Sequence, residues 1–322
     1  MVFGVHDCNR SAQTPRNVSA RGRLESVCAS LDAEAIRFGA TVSGSTPDRR
    51  AFQLEEIWSS TLMAGSRLTL DEVAALVERG IASGDKPLED YITVADYADA
   101  ANWVASAPPA GRRRIFIRLE EIVVLHARSI ARTPSARPGA WRRTSAPAFP
   151  SGTVPPPAWS IPREMNAFAD RFGKGPAAGI HPILWVAAAH ERFTRIHPFE
   201  RGNGRTARLM TNLLLQRTGF PPFIVRPRKL RAYLTALQRA DSRDPRPLAI
   251  AIAESVLEGF GRLRAAAGGP EALQPLTALA TGRERAALYK AAQRGRLRTL
   301  RRGGTLYTSE AWITAYTQAR QR

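Results

Sequence analysis

The run His197-Pro-Phe-Glu-Arg-Gly-Asn-Gly-Arg-Thr-Ala-Arg208 gathers residues suited to phosphate chemistry into one short stretch. Upstream, Ile183, Val186, His190 and Phe193 fall on one helical stripe, which places His197 at the end of a helix. Gly202-Asn203-Gly204 opens the next helix. The first N–H groups of a helix have no partner inside it, and its dipole makes that end positive. Glycines there let an anion approach the backbone closely. Arg205 and Arg208 are three apart and share one face of the first turn. Two guanidinium groups over such a nest suit a polyphosphate. Pro198 stiffens the turn and Phe199 can anchor it. A neutral imidazole at His197 beside that cradle can take a proton from an incoming hydroxyl. The chemistry implied is phosphoryl or nucleotidyl transfer. Each part alone is commonplace: a histidine in a core, a glycine turn, a solvated arginine pair. The spacing of the whole run is what points to a site.

The elements that must hold this run are mostly helical. Thr69-Leu-Asp-Glu72 forms a capping box, Val73, Leu76 and Val77 follow at helical spacing, and Gly80 stops the helix. Further helices are predicted over 88–105, 117–131, 162–172, 181–196 with Pro182 first, 204–217 up to Gly219, 229–239 and 247–263. Between Thr133 and Pro162 lie seven prolines, from Pro134 to Pro157. That stretch cannot be helical and is predicted as an extended loop or hairpin of functional length. Residues 1–50 show weak periodicity and are predicted as a mobile tail, with a short helix near Leu24 to Phe38. Ala265-Ala-Ala-Gly-Gly-Pro270 reads as a linker to a separate C-terminal unit. The division is thus a tail over 1–50, a main domain over 51–264 and a small domain over 270–322.

At 322 residues and 44% hydrophobic composition the chain can bury a sizeable core, which excludes wholesale disorder. Lys+Arg of 47 against Asp+Glu of 28 leaves +19, and nearly all of the cations are arginine. A polyanionic partner and GC-biased codon usage both produce such an excess; position along the chain has to separate them. Cys8 and Cys28 form no CxxC or zinc-spaced cluster, so no metal ligand set is expected and a reducing cytoplasm fits. The apolar run around Pro247 to Ala253 is far short of the roughly 20 residues that cross a bilayer. The N-terminus lacks a signal-peptide pattern. A soluble, cytoplasmic protein without a membrane partner is expected.

The 197–208 run closely resembles the signature of the Fic family, H-P-F-x-(D/E)-G-N-G-R-x-x-R, at all positions but one. The flanks from Ala189 and through Pro222 are similar to that family's two loop-holding helices. Pro138-Gly-Ala-Trp-Arg142 and the prolines after it resemble its flap. The resemblance spans about 52–263 and implies an all-α core with a small β-hairpin. It implies transfer of AMP from ATP to a Ser, Thr or Tyr hydroxyl of a target protein. His197 would be the general base, Asn203 with the Gly202 and Gly204 backbone would hold phosphates, and Arg205 and Arg208 would bind the β- and γ-phosphates. The flap, about 142–154, would pair with an extended target segment by strand addition.

Two departures from the family pattern matter. Its metal-binding acidic residue falls at Arg201, with Glu200 one place early, so a role for Mg²⁺ is left open. Arg201 either neutralises phosphate in place of the metal or marks another donor, such as a phosphocholine carrier, or an inactive relative. Second, Ser60-Thr-Leu-Met-Ala64-Gly65 resembles the family's inhibitory motif (S/T)xxxE(G/N), with Ala64 in place of the glutamate. That substitution predicts Arg208 free of a self-inhibitory ion pair.

The last fifty residues read as helix, turn, helix, β-hairpin and final helix. They resemble the winged helix-turn-helix of excisionase-like and MerR-like proteins. Between Thr281 and Gly304 there are eight basic residues and only Glu284. Arg285, Lys290, Arg294, Arg301 and Arg302 are the candidate DNA contacts, with phosphate contacts supplying the affinity. A basic protein-docking module fits the same pattern. The leading expectation is a Fic-type adenylyltransferase with this appended domain. The alternative is a DNA-binding regulator whose Fic-like domain senses a nucleotide. Homo-oligomerisation is left open.

Overall fold

The computed structural model describes residues 20–41, 47–107, 116–241, 244–266, 273–302 and 305–321. Ten helices form the main body: α1 (Ala20–Thr41), α2 (Pro47–Leu62), α3 (Leu70–Arg79), α4 (Leu88–Ser106), α5 (Leu119–Ser129), α6 (Ile161–Phe172), α7 (Pro182–Ile196), α8 (Asn203–Thr218), α9 (Leu230–Asp241) and α10 (Arg246–Ala266). Helix α8 is the axis of this body. It packs against α2, α4, α5 and α7 and is buried around nearly its whole circumference from Asn203 to Arg217. A helix apolar on one face only would leave a side open. Here Leu209, Met210, Leu213, Leu214 and Leu215 cover several faces at once. The phosphate-binding end of α8 is thereby set in a rigid frame.

Local signals explain the helix bounds. The Thr69 hydroxyl accepts from the Glu72 amide, Glu72 accepts from the Thr69 amide, and Gly80 closes α3 in the left-handed region at φ 68°. Pro182 stands in the first turn of α7, and Ile183, Val186, His190 and Phe193 all point into the core.

The structure corrects three sequence expectations here. The helix expected near Leu24 to Phe38 is present and longer, over Ala20–Thr41, and it is not part of a tail but seated on α10, with Leu24 and Leu31 buried. Leu24 and Leu31 lie seven apart and hold one face against α10. Residues 1–19, Cys8 among them, lie outside the described residues. The flap contains no strand between 142 and 154. Only the Phe149 amide to Thr153 carbonyl bond (2.9 Å) and the Gly152 amide to Phe149 carbonyl bond (2.8 Å) close its turn. Pro147, Pro150 and Pro155 to Pro157 lack the N–H groups a ladder needs. The main body therefore begins before residue 51, and α10 extends to Ala266; the Gly268–Pro270 part of the linker is outside the described residues.

Residues 273–302 and 305–321 hold β1 (Gln274–Pro275), α11 (Leu276–Leu279), α12 (Gly282–Gln293), β2 (Leu300–Arg302), β3 (Thr305–Thr308) and α13 (Glu310–Gln321). The strands form an antiparallel sheet in the order β1-β3-β2, with Leu300 opposite Tyr307 and Gln274 opposite Thr308. Leu276, Leu288, Ala291, Leu297 and Leu306 make a core of their own, with Trp312 and Tyr316 against it. Among the described residues no helix is long and apolar enough to cross a membrane.

Candidate active site

His197 caps α7 with φ 50° and ψ 60°, one of two non-glycine residues in the left-handed region among those described. That conformation costs about 1 kcal/mol or more and is held by the surrounding structure. Burial lowers the imidazole pKa, a nearby Arg142 charge adds to this, and a hydrogen bond to the Thr194 backbone opposes it. The ring is therefore neutral at neutral pH, the state a proton acceptor requires. Phe149 from the flap meets it edge-on, with centroids 5.4 Å apart.

Five residues on, Gly202 is the N-cap of α8 at φ 80°, and no side chain caps the helix. The first-turn N–H groups are left for an anion. A side chain at 202 would bring a Cβ within 2.9 Å of the Ile130 Cγ2. Gly204 takes an ordinary helical conformation, and a Cβ there would meet only the Arg208 guanidinium at 3.3 Å. Asn203 also shapes the loop. Its Oδ1 accepts from the Phe199 amide (2.9 Å) and its Nδ2 donates one N–H to the Phe199 carbonyl (2.7 Å), which leaves the second N–H of that amide unused by this pair of bonds.

His126 of α5 supports the loop from below, and sequence reasoning missed it. Its Nδ1 accepts from the Gly139 amide (3.0 Å) and its Nε2 donates to the Arg201 carbonyl (3.0 Å). Burial pushes its pKa down to about 4, so this neutral tautomer persists. The ring stacks flat on Phe199, centroids 3.5 Å apart, with Trp141 also against Phe199 at 4.9 Å. A lone histidine in a helix gives no sequence signal of such distant partners.

Beside the nest lies a cavity of about 410 Å³ lined by Arg201, Gly202, Gly204, Arg205 and Arg208, with Met63, Ala64, Glu89, Ile92, Thr93, Thr133 and Pro134 on the other walls. Arg205 and Arg208, three apart on α8, line it together, and Arg201 from the loop before the helix joins them. Arg205 is buried and donates to the Ser129 carbonyl at 2.9 Å. Arg208 shares the cavity lining with Ala64 and not with the carboxylate of an inhibitory pair, but it has protein partners of another kind. Its Nε donates to the Ser60 Oγ (2.6 Å) and its Nη2 to the Ser60 carbonyl (2.9 Å). Ser60 lies in the last turn of α2, where carbonyls lack helical partners, so a guanidinium can take one. One turn earlier, buried Glu56 accepts from Tyr97 and from Asn212 Nδ2 (3.1 Å).

The flap is tied to the same loop. Arg142 is buried; its amide donates to the Pro198 carbonyl (2.9 Å) and its Nε to the His197 carbonyl (2.7 Å). Its two terminal nitrogens donate to the Thr144 and Pro156 carbonyls. Glu200 turns away from the cavity: its carboxylate accepts from the Arg143 amide (2.8 Å), the Thr144 amide (3.2 Å) and the Thr144 hydroxyl (2.6 Å). At the far end, Ser151 donates to Asp241 of α9 (2.8 Å).

Residues 116–215, which span α5 to most of α8, match the model of the Fic/DOC family. The chain carries a Fic/DOC family domain. A relative, protein adenylyltransferase Fic of Nematostella vectensis, is 31% identical over 220 residues, covering 67% of this chain and 51% of that protein. The chain thus spans about half the length of the curated relatives it matches. Fic-1 from C. elegans superposes with a TM-score of 0.65 at 24% identity, over 76% of this chain and 71% of that one. A Fic family protein from Desulfovibrio desulfuricans gives 0.60 at 18% identity, over 92% of this chain and 98% of that one. The fold is that of Fic proteins.

The Fic domain's donor set does not fit a Mg²⁺ site. Magnesium takes hard oxygen ligands, usually one or two carboxylates plus substrate phosphates. The cavity wall offers Glu89 alone against three arginines, and Glu200 is committed to the flap. Among the described residues no three acidic, histidine or cysteine groups cluster as a metal site.

The candidate DNA contacts lie in the C-terminal unit. Arg285, Lys290 and Arg294 are exposed on and after α12. Arg301 and Arg302 lie in β2, and their side chains are outside the described residues.

Proposed function

We propose that the chain is a protein adenylyltransferase that moves AMP from ATP to a Ser, Thr or Tyr hydroxyl of a target protein. His197 takes the hydroxyl proton as that oxygen bonds to the α-phosphorus. The bond from the α-phosphorus to the bridging oxygen breaks, and pyrophosphate leaves. The uncapped α8 N-terminus and Gly202 receive phosphate oxygens, and Arg205 and Arg208 bear on the outer phosphates, Arg208 releasing or sharing its contact with Ser60. Asn203 sets the loop shape through Phe199 and keeps a second Nδ2 N–H for a phosphate oxygen. The flap offers unpaired backbone to an extended target segment.

The observation that carries this reading is a neutral, half-buried imidazole at the head of a loop leading into an uncapped helix and an arginine-lined cavity. The names of the curated relatives support it. The full chain is to be incubated with ATP, other nucleoside triphosphates and a nucleotide-linked phosphocholine, and its own mass measured. A gain of one AMP group from ATP, absent in His197→Ala, is the expected result. Nucleotide binding without any mass gain, on the chain or on added proteins, would favour a nucleotide-sensing regulator instead.

We also infer that residues 270–322 form a winged helix-turn-helix that binds duplex DNA. In support, α12, the β2–β3 hairpin and α13 share a separate core, and Arg283, Arg285, Lys290, Arg294, Arg296 and Arg298 are exposed. Affinity of the full chain for mixed duplexes should fall steeply as salt rises. No binding even at low salt would assign this surface to a protein partner.

A further inference from the structure

We propose that the arginine cavity takes its polyphosphate ligand as a metal-free anion, with Arg201 supplying the charge that a divalent cation would otherwise bring. Only the choice of ATP as the ligand rests on the adenylyltransfer reading; the absence of a cation rests on the cavity itself.

Three observations combine. First, Arg201, Arg205 and Arg208 line one cavity, and Glu89 is the single carboxylate among its lining residues. A divalent cation entering that space meets three like charges and one carboxylate ligand. Its preference for several hard oxygens is unmet. Second, the neighbouring carboxylate cannot be recruited. Both oxygens of Glu200 are held by Arg143 and Thr144 at the base of the flap. Third, the peptide at 201 is fixed. The His126 Nε2 holds the Arg201 carbonyl at 3.0 Å, and Gly202 in the left-handed region sets the turn that follows. A register change that would exchange Glu200 for Arg201 has to break all of these contacts together.

Arg201 itself is exposed and meets no carboxylate in an ion pair among the described residues. Arg205 is held by one protein oxygen and Arg208 by two, which places both guanidinium groups at the cavity wall. Arg201 is the guanidinium left to close over the ligand. A planar guanidinium grips two phosphate oxygens at once and needs no dehydration of a hard ion.

The test is calorimetric titration of the full chain with ATP in EDTA and in Mg²⁺, repeated with inorganic tripolyphosphate. Parent affinities for ATP should agree within about threefold between the two buffers. Arg201→Ala and Arg201→Gln should each weaken ATP in EDTA by about tenfold, because a charge-assisted contact is lost. Position 201 is exposed, so both variants should fold. Arg201→Asp should scarcely bind in EDTA and should regain affinity in Mg²⁺. Glu89→Gln should tighten ATP in EDTA by about threefold, as a like charge is removed from the wall.

Parent binding more than about tenfold tighter in Mg²⁺ would overturn the proposal. So would an Arg201→Ala that binds ATP in EDTA like the parent, or a Mg²⁺-dependent affinity that Glu89→Gln abolishes. The two readings fail separately. Tripolyphosphate bound in EDTA while ATP is not would remove ATP as donor and leave the metal-free site standing. Neither probe bound in EDTA would remove the metal-free site whatever the donor.

Discussion

Replacing Glu56 by glutamine should stabilise the chain above neutrality and destabilise it slightly in acid. Glu56 is 6% exposed on α2, and burial pushes its pKa from 4.5 up to about 7, with Tyr97, Arg208 and Asn212 pulling the other way. The folded value lies above the unfolded one. The contribution of Glu56 is therefore complete below pH 4.5 and is lost as pH rises through about 7. A difference of about 2.5 units at 1.36 kcal/mol per unit makes the charged carboxylate cost about 3 kcal/mol at pH 8.5 relative to pH 4.5. Glutamine never charges. Its oxygen still accepts from Tyr97 and Asn212, while its amide nitrogen lacks a partner at a cost of about 1 kcal/mol. The net gain at pH 8.5 is then about 2 kcal/mol, turning into a loss of about 1 kcal/mol at pH 4.5. Urea unfolding followed by circular dichroism, for both proteins at half-unit steps of pH, reads this directly. The swing of about 3 kcal/mol is independent of any constant offset. A difference in stability that stays flat from pH 4.5 to 8.5 would refute the reasoning.

His197, lowered by burial, should place the acid limb of kcat/KM below pH 6.5, and uncovering the ring with Phe149→Ala should move that limb upward. A parent limb at or above 6.5 counts against His197 as the base. Gly202→Ala should lower stability by about 3 kcal/mol by thermal unfolding, since it adds a left-handed alanine and a 2.9 Å contact with Ile130. Gly204→Ala should instead spare stability and weaken ATP in a binding titration, because only Arg208 crowds it; equal unfolding losses would contradict this. Ala64→Glu puts a carboxylate into the cavity that Arg208 lines and should weaken ATP by about tenfold, with lower self-modification; unchanged binding would break the alignment of the Ser60 segment.

Much of the frame was legible because it is written locally. The Thr69 capping box, Pro182 at the head of α7 and the stripe through His190 fix helix limits with information from within a few residues. The placing of Arg205 and Arg208 on one cavity wall also follows from their spacing of three on α8, whereas the place of Arg201 depends on the loop before it. What stayed hidden depends on partners far along the chain. Glu56 meets Tyr97 and Asn212, and His126 meets Gly139 and Arg201, across separations no periodicity encodes. The bonds of Asn203 to Phe199 stayed hidden for another reason: its residue type suits a ligand, a cap or a local loop contact alike, and type alone does not choose among them. The flap's own residues left loop and hairpin both open and the family resemblance implied the hairpin, while its prolines deny it the second strand's donors.

Arg142 gives the flap a mechanical meaning. One buried guanidinium and its own amide join the carbonyls of His197 and Pro198 to those of Thr144 and Pro156, at either root of the flap. On the adenylyltransfer reading, a polypeptide laid along the flap would load a lever whose short arm is the backbone of the base. Strain delivered there would alter the imidazole's aim at the acceptor more than the grip of Arg205 and Arg208, which are anchored on Ser129 and Ser60. Poor acceptor proteins would then be distinguished by turnover rather than by affinity, with selectivity expressed in kcat and the nucleotide's KM unmoved.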